Sequence, residues 1–177
     1  MTSLERLWAG WRTPYVEQAG VDPGDDGCVF CAILTGGLPD QETHVVWRHP
    51  AGLAAAILNA YPYTSGHLMV MPTRHVGDIE DLSSDEMQAV WDGVRQAVQA
   101  LKRAYHPDGL NLGANLGRSA GAGIPDHVHL HVLPRWQGDT NFMTSVADTR
   151  VLPEALPVSA AKVRAAWPEQ PATGGGR

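Results

Sequence analysis

Residues 127–131 read His-Val-His-Leu-His, so imidazole and branched aliphatic side chains alternate along one short segment. Successive side chains of a β-strand point to opposite faces, so a strand here places the imidazoles on one face and the aliphatic side chains on the other. A single strand histidine is most often a packed, hydrogen-bonded side chain. Burying three imidazoles on one face costs free energy unless each of them finds a hydrogen-bond partner or a metal. Three such histidines together therefore favour a functional site. The three are His127, His129 and His131.

The composition predicts one domain and a small ligand. The chain has 177 residues, 44% of them hydrophobic, which suits a single domain with a buried core. A net charge of -6 with only 13 lysines and arginines argues against binding a nucleic acid polymer, although a pocket for a small anion stays compatible. No apolar run reaches the roughly 20 residues that span a bilayer, and the first residues lack a leader pattern. We therefore expect a cytoplasmic protein with no membrane partner.

Both cysteines lie in the segment Cys28-Val29-Phe30-Cys31. Two cysteines at this spacing form a redox pair, supply half of a metal site, or pack as small hydrophobic side chains. A redox pair favours a preceding strand and a helix that opens at the first cysteine, whereas residues 22–27 read as a turn-rich loop. The pair therefore indicates a metal site, provided that two more ligands come from elsewhere in the chain.

Alternating residues and turn signals predict the strands that surround this segment. Strands are expected at 44–48 and 52–58, joined as a hairpin, and at 66–71. A further strand at 110–116 leads into a glycine-rich loop at 117–123. Glycines allow close backbone approach, so the amides of this loop can face an anion.

One long helix is expected at about 84–105. Ser83 and Glu86 have the spacing of a capping box, and an apolar stripe recurs at helical intervals after them. We expect that stripe to lie in the core. It consists of Met87, Val90, Trp91, Val94, Val98, Leu101 and Tyr105.

Residues 127–133 resemble the signature of the histidine triad family, in which histidines and hydrophobic residues alternate before two further hydrophobic residues. The similarity continues upstream through Asn59, the segment 66–72 and Asn115, and covers about residues 25–145. The resemblance implies a small α+β fold with an antiparallel sheet of about five strands and one long helix. It also implies a homodimer.

The resemblance implies nucleotidyl transfer as the reaction. His129 would attack the α-phosphorus of a nucleotide and form a nucleotidyl-histidine intermediate. His131 would hydrogen-bond the phosphate or the leaving-group oxygen, and His67 would approach the same phosphate or hold the triad in place. Backbone amides of the 117–123 loop would stabilise charge on the phosphoryl oxygens.

The resemblance also supplies partners for the cysteine pair. In zinc-containing relatives the metal is held by Cys-x-x-Cys, a histidine shortly after a strand that ends in proline, and the first histidine of the triad. The matching residues here are Cys28, Cys31, His75 and His127. Such a set closes a tetrahedron with no open position, so we expect one structural zinc per chain.

Residues that contact the nucleotide are implied by position in the same way. Asn59 matches a residue that binds ribose hydroxyls, with a turn-capping asparagine as the alternative. Hydrolases of the family carry Gln followed by Ser or Thr where this chain has Gly123 and Ile124. Backbone amides then bind the α-phosphate alone, or nearby side chains substitute. The candidates around the loop are Asn115, Arg118, Ser119, Gly121 and Gly123.

Residues 7–12 and 134–142 resemble a bacterial group described as diadenosine tetraphosphate phosphorylase-like. This likeness implies an enzyme that cleaves adenine dinucleoside polyphosphates, with phosphate or water as the acceptor. Trp136 would stack on an adenine or close the pocket. An adenosine phosphoramidate hydrolase is the alternative, and a nucleotide-binding regulatory module without catalysis is a reading from another class.

We expect three parts along the chain. An aromatic N-terminal arm at 1–24 precedes a histidine triad catalytic domain at 25–150, and a C-terminal extension follows at 151–177. The extension is rich in alanine and proline, and its end from Pro168 onwards reads as disordered.

Overall fold

The structure, a computed structural model, describes residues 27–139 and 154–169. The expected N-terminal arm at 1–24 lies outside the described residues. The described helices are α1 (Val29–Thr35), α2 (Asp40–Thr43), α3 (Ser84–Tyr105) and α4 (Leu156–Ala166). The strands are β1 (Val45–Arg48), β2 (Ala54–Leu58), β3 (Leu68–Pro72), β4 (Gly109–Ala114) and β5 (Leu130–Arg135). Short 3-10 turns lie at Ile79–Asp81 and Arg118–Ala120.

These strands form one antiparallel sheet in the order β1-β2-β3-β5-β4, which confirms the expected α+β fold. One row of paired residues crosses the whole sheet. It consists of Val45, Ile57, Met69, His131 and Gly113. Val45, Ile57 and Met69 pack with Phe30 of α1 in a second apolar cluster, separate from the main core against α3. The row therefore places His131 on the sheet face that lies away from α3.

The histidine segment keeps the expected alternation, but its ladder of hydrogen bonds begins later than predicted. Leu130 and Val132 are buried in the core on the α3 side, and β5 begins only at Leu130. Pro72, which ends the neighbouring strand, has no N–H to donate to a ladder at this point. His127 and His129 therefore precede the strand, where the Val128 N–H donates to the Val76 carbonyl at 2.7 Å.

Helix α3 begins with the predicted capping box. The Ser83 side chain accepts from the Glu86 N–H at 3.2 Å, and the Glu86 carboxylate accepts from the Ser83 N–H at 2.9 Å. The core prediction was wrong for Trp91, which is 49% exposed. The helix face that lies closest to the sheet is the one that carries small residues, because they allow close approach. The buried stripe is therefore rotated around the helix, away from Trp91. These small buried residues are Ala89, Gly93, Ala97 and Ala100.

The C-terminal extension contains a helix that the sequence pattern did not predict. Helix α4 packs on α3 and β1, where Arg164 donates to the Val45 carbonyl and Trp167 stacks on Trp47 at 5.8 Å. Its alanines favour a helix, and Pro157 lies in the first turn, where a missing N–H removes no helical hydrogen bond. Most of the expected disordered end lies outside the described residues. The homodimer stays a prediction.

In the two described stretches, no helix combines the length and the apolar character that crossing a membrane requires.

Candidate functional site

A cleft of about 780 Å³ opens on the sheet face away from α3. One wall comes from α1 and the opposite end from the glycine-rich loop, with the sheet as the floor. Its lining includes six residues that the sequence placed at the site: Asn59, Asn115, Gly121, Gly123, His129 and His131. The remaining lining residues are Val29, Phe30, Ile33, Glu42, Thr43, His44, Ile57, Leu58, Ala60, Tyr61, Tyr63, Met69 and Ile124. The cleft thus combines an apolar slot with two of the three triad imidazoles.

His129 is held in one tautomer by the backbone. Its Nδ1 lies 2.8 Å from the carbonyl oxygen of His127, and because a carbonyl can only accept, Nδ1 carries the proton. Burial lowers the pKa of His129. The ring of Phe30 packs nearly perpendicular to it, with centroids 5.0 Å apart. A neutral ring protonated at Nδ1 leaves the lone pair on Nε2, which is the form that a nucleophile needs.

A second chain of hydrogen bonds sets the tautomer of His131. The Tyr63 N–H donates to Nδ1 of His67 at 3.1 Å, so the proton of that ring lies on Nε2. This Nε2–H donates to Nδ1 of His131 at 2.9 Å, which leaves the His131 proton on Nε2 as a donor. His67 is fully buried and does not line the cleft. The geometry fits the alternative in which His67 holds the triad in place.

Four side chains bring sulfur and nitrogen donors together beside the triad. The Sγ atoms of Cys28 and Cys31 and the Nδ1 atoms of His75 and His127 all lie within 4.8 Å of one another. Sulfur–nitrogen separations are 3.3, 3.4 and 3.7 Å. The edges of a tetrahedron around zinc measure about 3.3–3.8 Å, from bond lengths near 2.0–2.3 Å. The donor set therefore fits a metal such as zinc.

The surroundings of these donors also suit a metal. Nε2–H of His127 donates to the Pro72 carbonyl at 2.9 Å, which keeps its Nδ1 unprotonated and turned towards the sulfurs. Burial lowers the pKa of His127, so the ring is neutral. Burial and the neighbouring Cys28 raise the pKa of Cys31, so a cation is what favours its thiolate. Helix α1 begins directly after Cys28, which is also the arrangement expected of a redox pair. The nearby imidazoles of His75 and His127 favour a metal site over a redox pair.

Several backbone amides of the glycine-rich loop donate hydrogen bonds within the loop, so fewer of them can face an anion than the sequence suggested. The N–H groups of Ala120 and Ala122 donate to the Gly117 carbonyl, and that of Gly121 donates to the Arg118 carbonyl. The N–H groups of Gly123 and Ile124 donate to no acceptor in residues 27–139 and 154–169. Both of these residues line the cleft, so their amides are the ones that can face an anion there.

Both asparagines at the cleft also hold backbone in place. Oδ1 of Asn59 accepts from the Tyr61 N–H at 2.9 Å, as in a turn-capping asparagine, and its Nδ2 lies 3.4 Å from Nδ1 of His67. Nδ2 of Asn115 donates to the Gly121 carbonyl at 3.3 Å, which fixes the start of the segment that leads to Gly123.

Three predicted nucleotide contacts lie elsewhere. Within the described residues, Arg118, Ser119 and Trp136 are not part of the cleft lining. The first two lie in the exposed 3-10 turn. The Trp136 ring meets Tyr105 at 6.2 Å between centroids, on the α3 side of the sheet. This contact explains why an aromatic residue just after the triad strand does not cover the cleft.

The sequence reading missed two aromatic residues that position the triad. Phe30 lies inside the Cys-x-x-Cys segment and contacts both His127 and His129, with centroids 5.5 and 5.0 Å away. Tyr63 stacks on His131 at 6.3 Å and fixes His67 through its amide. The sequence feature that could have identified them is their position, since each lies within four residues of a predicted site residue.

The five-stranded antiparallel sheet, with alternating histidines at the start of its β5 strand, has the features of a histidine triad protein. Residues 39–138 match the HIT domain family, and the chain belongs to it.

Similar proteins cover most of the chain. It is 39% identical over 173 residues to AP-4-A phosphorylase of Mycobacterium tuberculosis (strain CDC 1551 / Oshkosh), which covers 95% of this chain and 87% of the relative. The crystal structure of a Zn-bound histidine triad family protein from Mycobacterium smegmatis superimposes with a TM-score of 0.64 at 30% identity. That match covers 81% of this chain and 94% of the other. Bis(5'-nucleosyl)-tetraphosphatase (asymmetrical) of Schizosaccharomyces pombe is 34% identical over 87 residues, 49% of this chain and 47% of the relative.

Proposed function

We propose that this protein is a nucleotide-processing enzyme that cleaves dinucleoside polyphosphates of the diadenosine tetraphosphate type at the α-phosphorus. The observation that carries the proposal is the pair of opposite tautomers in the cleft. His129 offers the Nε2 lone pair, and His131 offers the Nε2 proton. The 39% identity to AP-4-A phosphorylase supports this substrate class.

The first step forms a bond between Nε2 of His129 and the α-phosphorus. The bridging P–O bond breaks, and the departing polyphosphate keeps the electron pair as an oxyanion, which accepts a hydrogen bond from Nε2–H of His131. The backbone N–H groups of Gly123 and Ile124 donate hydrogen bonds to the phosphoryl oxygens and stabilise their negative charge. The product of this step is a nucleotidyl group on His129.

In the second step an acceptor, water or inorganic phosphate, attacks the same phosphorus and breaks the P–N bond. The electron pair of the P–N bond returns to Nε2 of His129, any proton that the acceptor releases passes to solvent, and both rings are then in their starting tautomers. With diadenosine tetraphosphate, phosphate as the acceptor yields ADP and ATP, and water yields AMP and ATP.

We also propose that Cys28, Cys31, His75 and His127 hold one zinc ion per chain. Since these four residues would fill all four positions of a tetrahedral zinc, the ion would supply structural rigidity and would leave no position for substrate. It would join α1, which forms one wall of the cleft, to the segment that carries the nucleophile.

Mass spectrometry of enzyme quenched during turnover tests the mechanism. The expected result is an adenylyl mass on the peptide that contains His129, and its absence from the folded His129→Ala variant. Product analysis with and without inorganic phosphate distinguishes the two acceptors. Turnover of diadenosine tetraphosphate by His129→Ala at the wild-type rate would overturn the mechanism. Faster cleavage of an adenosine phosphoramidate would overturn the substrate class alone.

A further inference from the structure

The loop between β2 and β3 carries an exposed aromatic ring at the rim of the cleft. Tyr61 is 75% exposed, more than any other exposed large hydrophobic residue in the described part of the chain, and it lines the cleft. No described aromatic ring or cation packs against it. One face of this ring is available to a ligand.

The loop that carries Tyr61 is held rigidly. The Tyr61 N–H donates to Asn59, and Thr64 Oγ1 donates to the Pro134 carbonyl at 3.0 Å. Pro62 restricts the backbone directly after the tyrosine. Gly66, with φ of +81°, closes the loop where an added Cβ would lie 2.7 Å from the Tyr105 ring. An aromatic ring on a fixed backbone loses little conformational entropy when it binds a ligand.

The position of the loop relates Tyr61 to the departing group. Tyr63, two residues later, stacks on His131, the hydrogen-bond donor to the leaving oxygen in the proposed reaction. Two residues span at most about 7 Å of chain, so Tyr61 lies within reach of the same side of the cleft. Because Tyr61 and His131 line the same cleft, a polyphosphate that leaves beside His131 can bring its nucleoside to this tyrosine.

A dinucleotide needs two places for a base. Phe30 and Ile57 line the cleft and are almost fully buried, and the Phe30 ring lies 5.0 Å from that of His129. The apolar slot that they form with Ile33 suits the nucleoside that stays on His129. The second nucleoside departs with the polyphosphate and must lie nearer the rim. Trp136, the aromatic residue that the sequence suggested for stacking, packs on Tyr105 instead.

We propose that Tyr61 stacks on the base of the departing nucleotide and so makes the enzyme selective for dinucleoside over mononucleoside polyphosphates. This inference rests on the proposed function. Stacking of a base on an aromatic side chain is sequence-tolerant, so Tyr61 recognises the presence of a second base more than its identity.

The test compares diadenosine tetraphosphate with adenosine 5′-tetraphosphate, which has the same phosphate chain and no second nucleoside. The measured quantity is the ratio of kcat/KM for the two substrates. We expect Tyr61→Ala to lower this ratio about 5- to 100-fold, mainly through KM for the dinucleotide. Tyr61→Phe keeps the ring and should stay within about 2-fold of the wild type, whereas Tyr61→Leu keeps apolar bulk and should behave like the alanine variant.

The possible outcomes distinguish a failure of this inference from a failure of the proposed function. A Tyr61→Ala ratio within about 2-fold of the wild-type ratio overturns the role of Tyr61 and leaves the enzyme a dinucleoside polyphosphate hydrolase or phosphorylase. A Tyr61→Leu ratio equal to that of the wild type overturns stacking in particular. Wild-type protein that cleaves neither substrate removes both the proposed function and this inference.

Discussion

The side chain of His127 points its Nδ1 at the sulfur of Cys28, 3.3 Å away, while the backbone carbonyl of His127 accepts the Nδ1–H of His129 at 2.8 Å. One residue therefore contacts the proposed metal site with its ring and the proposed nucleophile with its backbone. Phe30, between the two cysteines, contacts both rings. The four candidate metal ligands and His129 are thus parts of a single packed unit.

Loss of the metal should therefore affect both stability and substrate binding. Cys31→Ser should lower zinc content from about one per chain, and lower the free energy of unfolding by more than about 2 kcal/mol. KM for the nucleotide should rise, because α1 carries Val29, Phe30 and Ile33 into the cleft wall. Elemental analysis, thermal unfolding and steady-state kinetics measure the three effects.

Ala32→Ser is the matched control for the metal site, because it adds a hydroxyl to the exposed side of the same helix and removes no sulfur. It should keep the metal and the wild-type KM. A Cys31→Ser protein with full zinc content and an unchanged unfolding temperature would contradict the assignment.

Replacing His67 tests the hydrogen bonds that orient His131. His67→Phe keeps an aromatic ring of similar size but removes the hydrogen bond to His131 Nδ1, which holds the proton of that ring on Nε2. We expect kcat to fall about 10- to 1000-fold with little change in KM, as for the loss of a hydrogen-bond donor that stabilises charge in the transition state. His67→Gln offers an amide donor and should retain more activity than His67→Phe. Equal, wild-type kcat values in both variants would show that the relay is dispensable.

The sequence was sufficient for the features that depend on local pattern. Alternation alone separated the faces of the triad segment, and the spacing of Ser83 and Glu86 located the start of α3. The resemblance then brought together four candidate metal ligands from three separate parts of the chain, and the structure places their donor atoms within 4.8 Å of one another.

Features that depend on tertiary packing were not predictable. Whether Trp136 covers the cleft depends on its contact with Tyr105 across the sheet, and whether the loop amides face a ligand depends on how the loop folds on Gly117. The position of Trp91 was misjudged because helical spacing does not reveal how closely alanines and Gly93 let α3 approach the sheet.

Gly93 provides a direct test of that close approach. An added Cβ would lie 2.7 Å from Trp47 Cζ3 and 2.8 Å from Val70 Cγ1, so Gly93→Ala must displace packed side chains. We expect a loss of about 1–3 kcal/mol in the free energy of unfolding, measured by urea denaturation. Gly109→Ala is the control, since no atom lies within 4 Å of its added Cβ. Two variants of equal stability would mean that α3 lies farther from the sheet than described.

Glu86 should make the free energy of unfolding depend on pH in the acidic range. Its carboxylate accepts from Arg74 Nε at 2.7 Å and from the Ser83 N–H, and these hydrogen bonds lower its pKa from 4.5 to about 2. A carboxyl group whose pKa is lower in the folded state stabilises the fold above the unfolded pKa, and this contribution fades as the pH falls from 4.5 to about 2.

Glu86→Gln should therefore cost about 1–3 kcal/mol at pH 7, and the difference from the wild type should shrink across that acidic range. Glu80→Gln removes an exposed carboxylate from the same segment and controls for the loss of one negative charge. Urea denaturation at pH 7, 4.5 and 3 measures the differences. A gap between wild type and Glu86→Gln that stays constant over these three values would mean that the ion pair with Arg74 does not lower the pKa of Glu86 in solution.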